Sequence, residues 1–310
     1  MRLANPRGLI RTHDVVANCL DVRFGESADR SHARELSMET MTANLEGERF
    51  QSGAEKYAAY LETPEGRLRT DLAFANVREF FRADRDSLQA LDVGGGAGAV
   101  AIRLARLGIH VTLLDPSREM LDIATRASKD AGIADKITLK HGDAAELQKF
   151  FAVHSFDLII CHNVLEYVSD PDAVLRICAR LMRDSSSVLS VLVRNRAGEV
   201  FKSAILAGDL DDAEKNLTAE SVKETLYGGR SRLFSPDTLQ VLLKAASLEE
   251  MAMRGVRVVS DYLPAKVNLD DKYDRIFQLD RALGSRSEFA AVARYTHCLA
   301  RRMSFVEDRG

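Results

Sequence analysis

From Gly53 onward the chain keeps changing between two rhythms of apolar and polar residues. In "GAEKYAAYLETPEGRLRTDLAFANVREFF" the apolar positions Tyr57, Tyr60 and Leu61, then Leu68, Leu72, Ala75, Val77 and Phe80, recur at helical spacing. This predicts two helices with Pro64-Glu65-Gly66 as the break between them. "SLQALDVGGG" is instead a short continuous apolar run closed by glycines, the pattern of a strand buried on both faces. Helix "AVAIRLARLG", strand "HVTLLD", helix "SREMLDIATRASKDAG" with Ser117 as its cap, and strand "ITLKHGD" follow. Then come "FDLIICHNVLEYV", a strand running into a helical turn, "PDAVLRICARLM", a helix with Pro171 at its start, and the strand "SSVLSVLVRN". Strands alternating with helices predict an α/β fold with a parallel sheet covered on both faces. Ligands of such sheets sit at the carboxyl ends of the strands.

After Asn195 the rhythm breaks. Residues 196–232 read as a helical insertion ending in a Gly-Gly turn, followed by a helix capped by Ser235 with Pro236 at its first position. "MAMRGVRVVSDYL" predicts a strand over 251–263, "DDKYDRIFQLDRALG" an amphipathic helix, and "AVARYTHCLARR" a last strand, in which His297 reads as buried structure. Residues 1–50 are rich in charge and weak in periodicity, an N-terminal extension with a partly helical pattern.

Composition narrows the setting. With 310 residues the chain suffices for one large α/β domain with additions, and a net charge of -3 gives no global attraction to phosphate backbones or anionic membranes. Cys19, Cys161, Cys178 and Cys298 have no metal-type spacing, so no metal is expected and the thiols suit a reducing compartment. With neither a spanning segment nor a signal-peptide core, the expectation is a cytoplasmic protein without membrane partners.

The glycine turn carries the chemistry. Gly94, Gly96 and Ala99 fit a loose dinucleotide pattern, and Asp115 lies where an acid that grips ribose hydroxyls belongs, so NAD is one candidate. Two features favour S-adenosylmethionine (SAM). Asp92 precedes the glycines at the strand end, where a carboxylate orders the loop and meets the cationic amino-acid part of SAM, and Gly98 completes "LDVGGGAG". "HGDA" after the third strand then offers Asp143 to the adenine amine and the amides of Gly142 and Ala144 to the ring.

The ordered set "LDVGGGAG", "LLDPS", "HGDA" and "FDLIICHNVLEYVSDP" over residues 88–195 resembles the SAM core of class I methyltransferases. The resemblance implies a seven-stranded Rossmann-like sheet of order 3-2-1-4-5-7-6 with an antiparallel seventh strand. It also implies that Gly94, Gly95, Gly96 and Gly98 face the methionine part and that Asp115 and Pro116 lie by the ribose. Met120 would pack on the adenine, with His162 beside the sulfonium. Outside that core, "PEGRLR", "NRAGEVFKSAILAGD", "GVRVVSDYL" and "ARYTHCLAR" are similar to the tRNA 5-carboxymethoxyuridine carboxyl methyltransferases. This implies a methyltransferase domain over 51–302, with a helical lid at about 196–232, an acceptor-side part over 233–302 and a tail over 303–310. It also implies that Arg69 contacts SAM.

Three functions follow: carboxyl methylation of a tRNA wobble uridine, O- or N-methylation of a small metabolite, and non-catalytic SAM binding. A carboxylate acceptor is already ionised and needs only a cation to orient it, for which Arg257, Arg194 and Arg196 are candidates. A phenol or amine would want a base, for which His162 is the nearest. Glu166, Asp261, Tyr262 and Tyr295 complete the acceptor-side candidates, and Arg230 and Arg232 are a candidate basic patch for RNA.

Overall fold

The computed structural model describes residues 50, 52–81, 87–224, 228–264 and 266–303. Apart from Phe50 and Met303, the extension and tail expected at the two ends lie outside the described residues.

Two helices open the described chain, α1 (Ala54–Glu62) and α2 (Pro64–Phe80). The break falls earlier than the sequence predicts, because Thr63 caps α2 through its side chain, accepting from Gly66 N, and Pro64 occupies the first turn, where its missing N–H costs nothing. The alternating core follows: β1 (Gln89–Val93), α3 (Ala99–Ala105), β2 (His110–Asp115), α4 (Arg118–Asp130), β3 (Ile137–His141), the short α5 (Leu147–Phe150), β4 (Leu158–His162), α6 (Pro171–Leu181) and β5 (Val188–Arg194).

The insertion is only partly helical. α7 (Arg196–Phe201) runs into a π-helical turn over Lys202–Ala207, and α8 (Leu210–Asn216) follows. Its end is a hairpin, β6 (Ser221–Lys223) paired antiparallel with β7 (Arg230–Arg232). Gly228 and Gly229, both at positive φ, return the chain between the two strands. The chain closes with α9 (Pro236–Ala245), β8 (Leu248–Val256), α10 (Tyr273–Gly284), α11 (Ser287–Ala290) and β9 (Tyr295–Arg302).

The main sheet has the order β3-β2-β1-β4-β5-β9-β8, with β9 antiparallel to both of its neighbours. Counting only the strands of this sheet, that is the expected 3-2-1-4-5-7-6. Alternate residues feed two apolar layers. Ala90, Leu158, Ile160, Val188 and Leu299 pack with residues of α2, α3 and α4, whereas Leu91, Ile159, Cys161, Val191 and Cys298 pack with α6 and α9. Leu158, Ile159 and Ile160 are fully buried, each worth about 2 kcal/mol of apolar transfer. The strand order reverses between β1 and β4, which opens a crevice at their carboxyl ends.

β8 ends at Val256 rather than continuing to 263. Arg257 is left-handed, with φ of 61°, and Asp280 Oδ1 accepts from Val258 N and Val259 N at 3.0 and 2.8 Å, which turns the chain out of the sheet.

Candidate active site

The crevice between β1 and β4 is a cleft of about 430 Å³ whose lining includes Tyr57, Arg69, Asp92, Gly94, Gly95, His162 and Asn163. The glycine turn is shaped by close approach. A Cβ on Gly94, itself at φ +61°, would lie 2.6 Å from the Val164 side chain, and one on Gly95 would lie 2.6 Å from Leu113 Cγ and 2.8 Å from Asp92 Cγ. Asp115 ties the turn to β2, accepting from Gly96 N at 2.8 Å and from Ser117 N at 2.9 Å.

Opposite charges face each other across this cleft. Asp92 is buried, its Oδ2 has no hydrogen-bond partner among the described residues, and burial with Asp115 beside it pushes its carboxyl up to about 7. Burial likewise raises Asp115 to about 6 against the pull of its two backbone amides. Arg69 is also buried and donates to Tyr57 Oη at 2.9 Å. Its guanidinium carbon lies 5.6, 5.1 and 5.8 Å from the ring centres of Tyr57, Tyr60 and Tyr295. Burial opposes its charge, but the three phenols outweigh that and hold the charge on it.

Next to Arg69 lies a buried network of ions. Arg194 pairs with Glu199 at 3.1 Å and Glu224 at 2.6 Å, and Arg294 pairs with Glu199 at 2.9 Å. Arg257 donates through Nε to Asp261 Oδ1 at 2.6 Å, binds the same carboxylate with its NH2, and donates to Tyr60 Oη at 2.9 Å. Arg294 Nε approaches the other oxygen of Asp261 at 3.7 Å. Burial pushes the Glu199 carboxyl up, but Arg294, Arg194 and Lys202 together hold it below its ordinary value. At the centre is Tyr295, whose phenol burial would raise, yet Arg69, Arg257, Arg294 and Arg194 draw it down to about 8. A negative charge costs less at that hydroxyl than at an ordinary phenol.

Residues 91–189 match the model of a methyltransferase domain family. The tRNA 5-carboxymethoxyuridine methyltransferase of Escherichia coli is 30% identical over 260 residues, covering 83% of this chain and 97% of that protein. The chain belongs to the class I SAM-dependent methyltransferases. More weakly, a ubiquinone biosynthesis O-methyltransferase of Hahella chejuensis is 29% identical over 178 residues, covering 56% of this methyltransferase and 68% of the relative. The fold matches the CcbJ methyltransferase from Streptomyces caelestis, with a TM-score of 0.55 at 17% identity, covering 83% of this chain and 99% of that one. SAM is the cofactor of the class.

The methyltransferase brings Arg69, Asp92, Gly94, Gly95 and His162 together on one cleft, as the sequence suggests. Gly96, Gly98, Asp115, Pro116, Gly142, Asp143 and Ala144 continue along the ends of β1, β2 and β3, where Asp143 caps a short turn by accepting from Ala145 N at 2.7 Å and stays exposed to solvent. Met120 differs from expectation. It is buried against Ala54, Ala97 and Tyr57, because α1 lies over it, and it presents no open face to an adenine ring.

The acceptor-side candidates separate in the same way. Arg257 and Arg194 are not free cations, since carboxylates already hold them, and Asp261 pairs with Arg257. Tyr295 offers no stacking face. Its ring packs among Leu68, Leu72, Leu192 and Val256, and Arg69 covers it. Tyr262 hydroxyl reaches Gly198 O at 3.4 Å, with Phe201 beside its ring. Glu166 is no ordinary exposed acid at a helix start. It is buried, its Oε1 accepts from Asn163 Nδ2 and Arg194 N at 2.9 and 2.8 Å, and burial raises its carboxyl. Arg196 begins α7 and keeps a buried Nε without a partner among the described residues. Arg230 and Arg232, the candidate basic patch, both make hydrogen bonds within the protein. Arg230 is bonded across the hairpin to Ser221, and Arg232 binds the carbonyls of Leu165 and Val168.

Sequence reasoning missed Glu199, Glu224 and Arg294, which complete the ion network, and it read Tyr57 and Tyr60 only as the apolar stripe of a helix. Burial of charge is a property of the fold, and only the proximity of Glu199 to the strand-five arginine hinted at it.

Proposed function

We propose that this methyltransferase esterifies a carboxylate, the carboxymethoxy group of a tRNA wobble uridine. The observation that carries this is a buried set of guanidiniums, Arg194, Arg257 and Arg294 held in ion pairs and Arg69 over the Tyr295 ring, next to the cleft that Arg69, Asp92 and His162 line. The Escherichia coli relative, matched over 97% of its own length and 83% of this chain, is a tRNA 5-carboxymethoxyuridine methyltransferase, which supports the same acceptor.

The residues of the cleft fit SAM. The unpartnered Oδ2 of Asp92 suits an ammonium, and Arg69, which has no carboxylate partner among the described residues, suits the amino-acid carboxylate. When bound, SAM supplies an electrophilic methyl on a cationic sulfur. The chain supplies alignment and exclusion of water. Arg194, Arg257 and Arg294 are spent on Glu199, Glu224 and Asp261, so they form a fixed field that favours an anion without any one side chain having to swing onto it. A carboxylate is ionised at neutral pH, so no proton has to be removed before attack. His162 is well suited to such a site because burial, His297 and Arg69 keep its imidazole neutral next to a cationic cofactor.

The test is methyl transfer from labelled SAM to an anticodon stem-loop carrying 5-carboxymethoxyuridine, with nucleoside mass spectrometry of tRNA from a strain lacking the gene. A base-labile methyl ester on the stem-loop and its loss from the strain are expected. Normal wobble esters in that strain would overturn the tRNA assignment. Engagement of Arg230 and Arg232 within the protein favours a second reading, a small-molecule carboxylate, for which label would enter only a low-mass fraction.

A further inference from the structure

Behind His162 a largely apolar face of the sheet carries a polar seam. His162 ends β4, Ser190 lies in β5 and His297 in β9, and the strand registers put all three on the face that also holds Ile160, Leu192 and Leu299. His162 Nε2 is 2.8 Å from Ser190 Oγ, Ser190 Oγ is 2.8 Å from His297 Nε2, and His297 Nδ1 is 3.1 Å from Asn76 Nδ2 on α2. Ser190 and His297 are fully buried and Asn76 nearly so. Only His162 reaches the cleft. An apolar side chain at any of the three buried positions would pack this layer without needing a hydrogen bond.

The seam has a direction. An amide nitrogen donates and cannot accept, so His297 Nδ1 receives a proton from Asn76 and carries none itself. The single ring proton of neutral His297 therefore sits on Nε2 and is donated to Ser190 Oγ. Ser190 spends its one hydroxyl proton on His162 Nε2. His162 then has its proton on Nδ1. We propose that Asn76, His297 and Ser190 are positioning residues that fix His162 as the neutral Nδ1–H tautomer, so that it shows the cleft a hydrogen-bond donor and no basic nitrogen.

The surroundings resist protonation of either ring. Burial, then His297 and Arg69, hold His162 well below its ordinary value, and burial with Arg254 lowers His297 to about 3. Both imidazoles stay neutral through the physiological range, and the chain of donors keeps its sense. The consequence for chemistry rests on the proposed function: a site whose one histidine offers no base suits an acceptor that arrives ionised, such as a carboxylate. The tautomer itself does not rest on that reading.

Long-range 15N–1H spectra of the imidazoles, recorded on the full chain without any acceptor, test the tautomer directly. Expected are a protonated-type Nδ1 and a bare Nε2 for His162, and the reverse for His297, with His297→Gln used to assign the signals. His162 found as the Nε2–H tautomer or as an imidazolium would overturn the proposal, whatever the acceptor proves to be. In Ser190→Ala the two His162 nitrogens should move toward the averaged shifts of a tautomer mixture, and turnover should fall about tenfold, the worth of one hydrogen bond. Ser190→Thr, which keeps the hydroxyl, should restore both. An unchanged His162 spectrum in folded Ser190→Ala would equally overturn it. Should Ser190→Ala fail to fold, the wild-type spectrum decides alone.

Discussion

Replacement of Arg69 by methionine separates the demands of ligand binding from those of folding. In the ligand-free protein this guanidinium is buried without a carboxylate partner among the described residues. Its removal costs one hydrogen bond to Tyr57, about 1 kcal/mol, and cation–π contacts with three tyrosine rings, together about 1–2 kcal/mol. Against this, the buried guanidinium has no carboxylate partner among the described residues, so its removal also relieves its desolvation and offsets part of that loss. Methionine fills similar space and makes favourable contacts with the surrounding aromatic rings. The ligand-free stability of Arg69→Met should therefore stay within about 1 kcal/mol of wild type or rise, as measured by urea unfolding.

SAM binding should respond differently. A charge-assisted hydrogen bond to a carboxylate is worth about 1.5–3 kcal/mol, so calorimetric titration should show SAM affinity falling by about 10- to 150-fold. Arg69→Lys, which keeps the charge and loses the planar fork, should fall between the two. A loss of more than about 3 kcal/mol of stability with unchanged SAM affinity would refute the reasoning, because Arg69 would then be a structural post and the pairing of charges across the cleft a coincidence.

Other substitutions probe the same construction. Asp92 has a carboxyl raised from 3.8 to about 7 in the fold, so the folded protein binds the extra proton between these values and the stability this group contributes is lost as pH rises from about 4 to 7. Cationic SAM favours the ionised form, so wild-type affinity should climb through pH 7, whereas Asp92→Asn should bind weakly with a flat profile and unfold with less loss of stability across that range. Gly95→Ala pushes a methyl to 2.6 Å from Leu113 and 2.8 Å from Asp92, and should cost about 1–3 kcal/mol in thermal unfolding together with most SAM binding. Arg257→Met leaves Asp261 with only the 3.7 Å approach of Arg294, so a loss of about 3–5 kcal/mol is expected on denaturation. Tyrosinate absorbance should reveal one phenol titrating near pH 8, absent in Tyr295→Phe and shifted upward in Arg257→Met; no early-titrating phenol in the wild type would remove the field argued for the acceptor.

What could be read from the sequence follows a physical divide. Strands β1, β4 and β5 are continuous apolar runs, and the glycine turn after β1 is a local backbone requirement, so residues near one another in sequence already specify them. The end of β8 is different. Nothing in "GVRVVSDYL" stops a strand, and the stop comes from Asp280, 22 residues from Val258, accepting the amides that a strand would have paired. In the hairpin β6–β7 the stretch "AESVKETL" suits either period and predicts helix as readily as strand, and its two glycines decide only once Arg230 bonds across to Ser221. Met120 has the right address for an adenine contact, and only the packing of α1 reveals that its surface is taken.

The arginines show why sequence proximity to a site does not by itself assign a role. Arg194, Arg230, Arg232 and Arg257 all follow or flank strands near the carboxyl-end face, and each looked available to an anionic substrate. Arg230 is bonded across its hairpin to Ser221, and Arg232 ties that hairpin to the carbonyls of the turn after β4. The other two are neutralised in pairs, yet still act at a distance on Tyr295. Arg257 even holds a left-handed backbone, at a cost of about 1 kcal/mol, to bring its guanidinium between Tyr60 and Asp261. Strain spent on placing a charge that is already paired makes sense if the useful quantity is the direction of the field and not a free cation. On the function proposed above, a field of this kind selects an acceptor by its charge at one point. On that reading the rest of the acceptor, tRNA or metabolite, is chosen by residues outside this sheet.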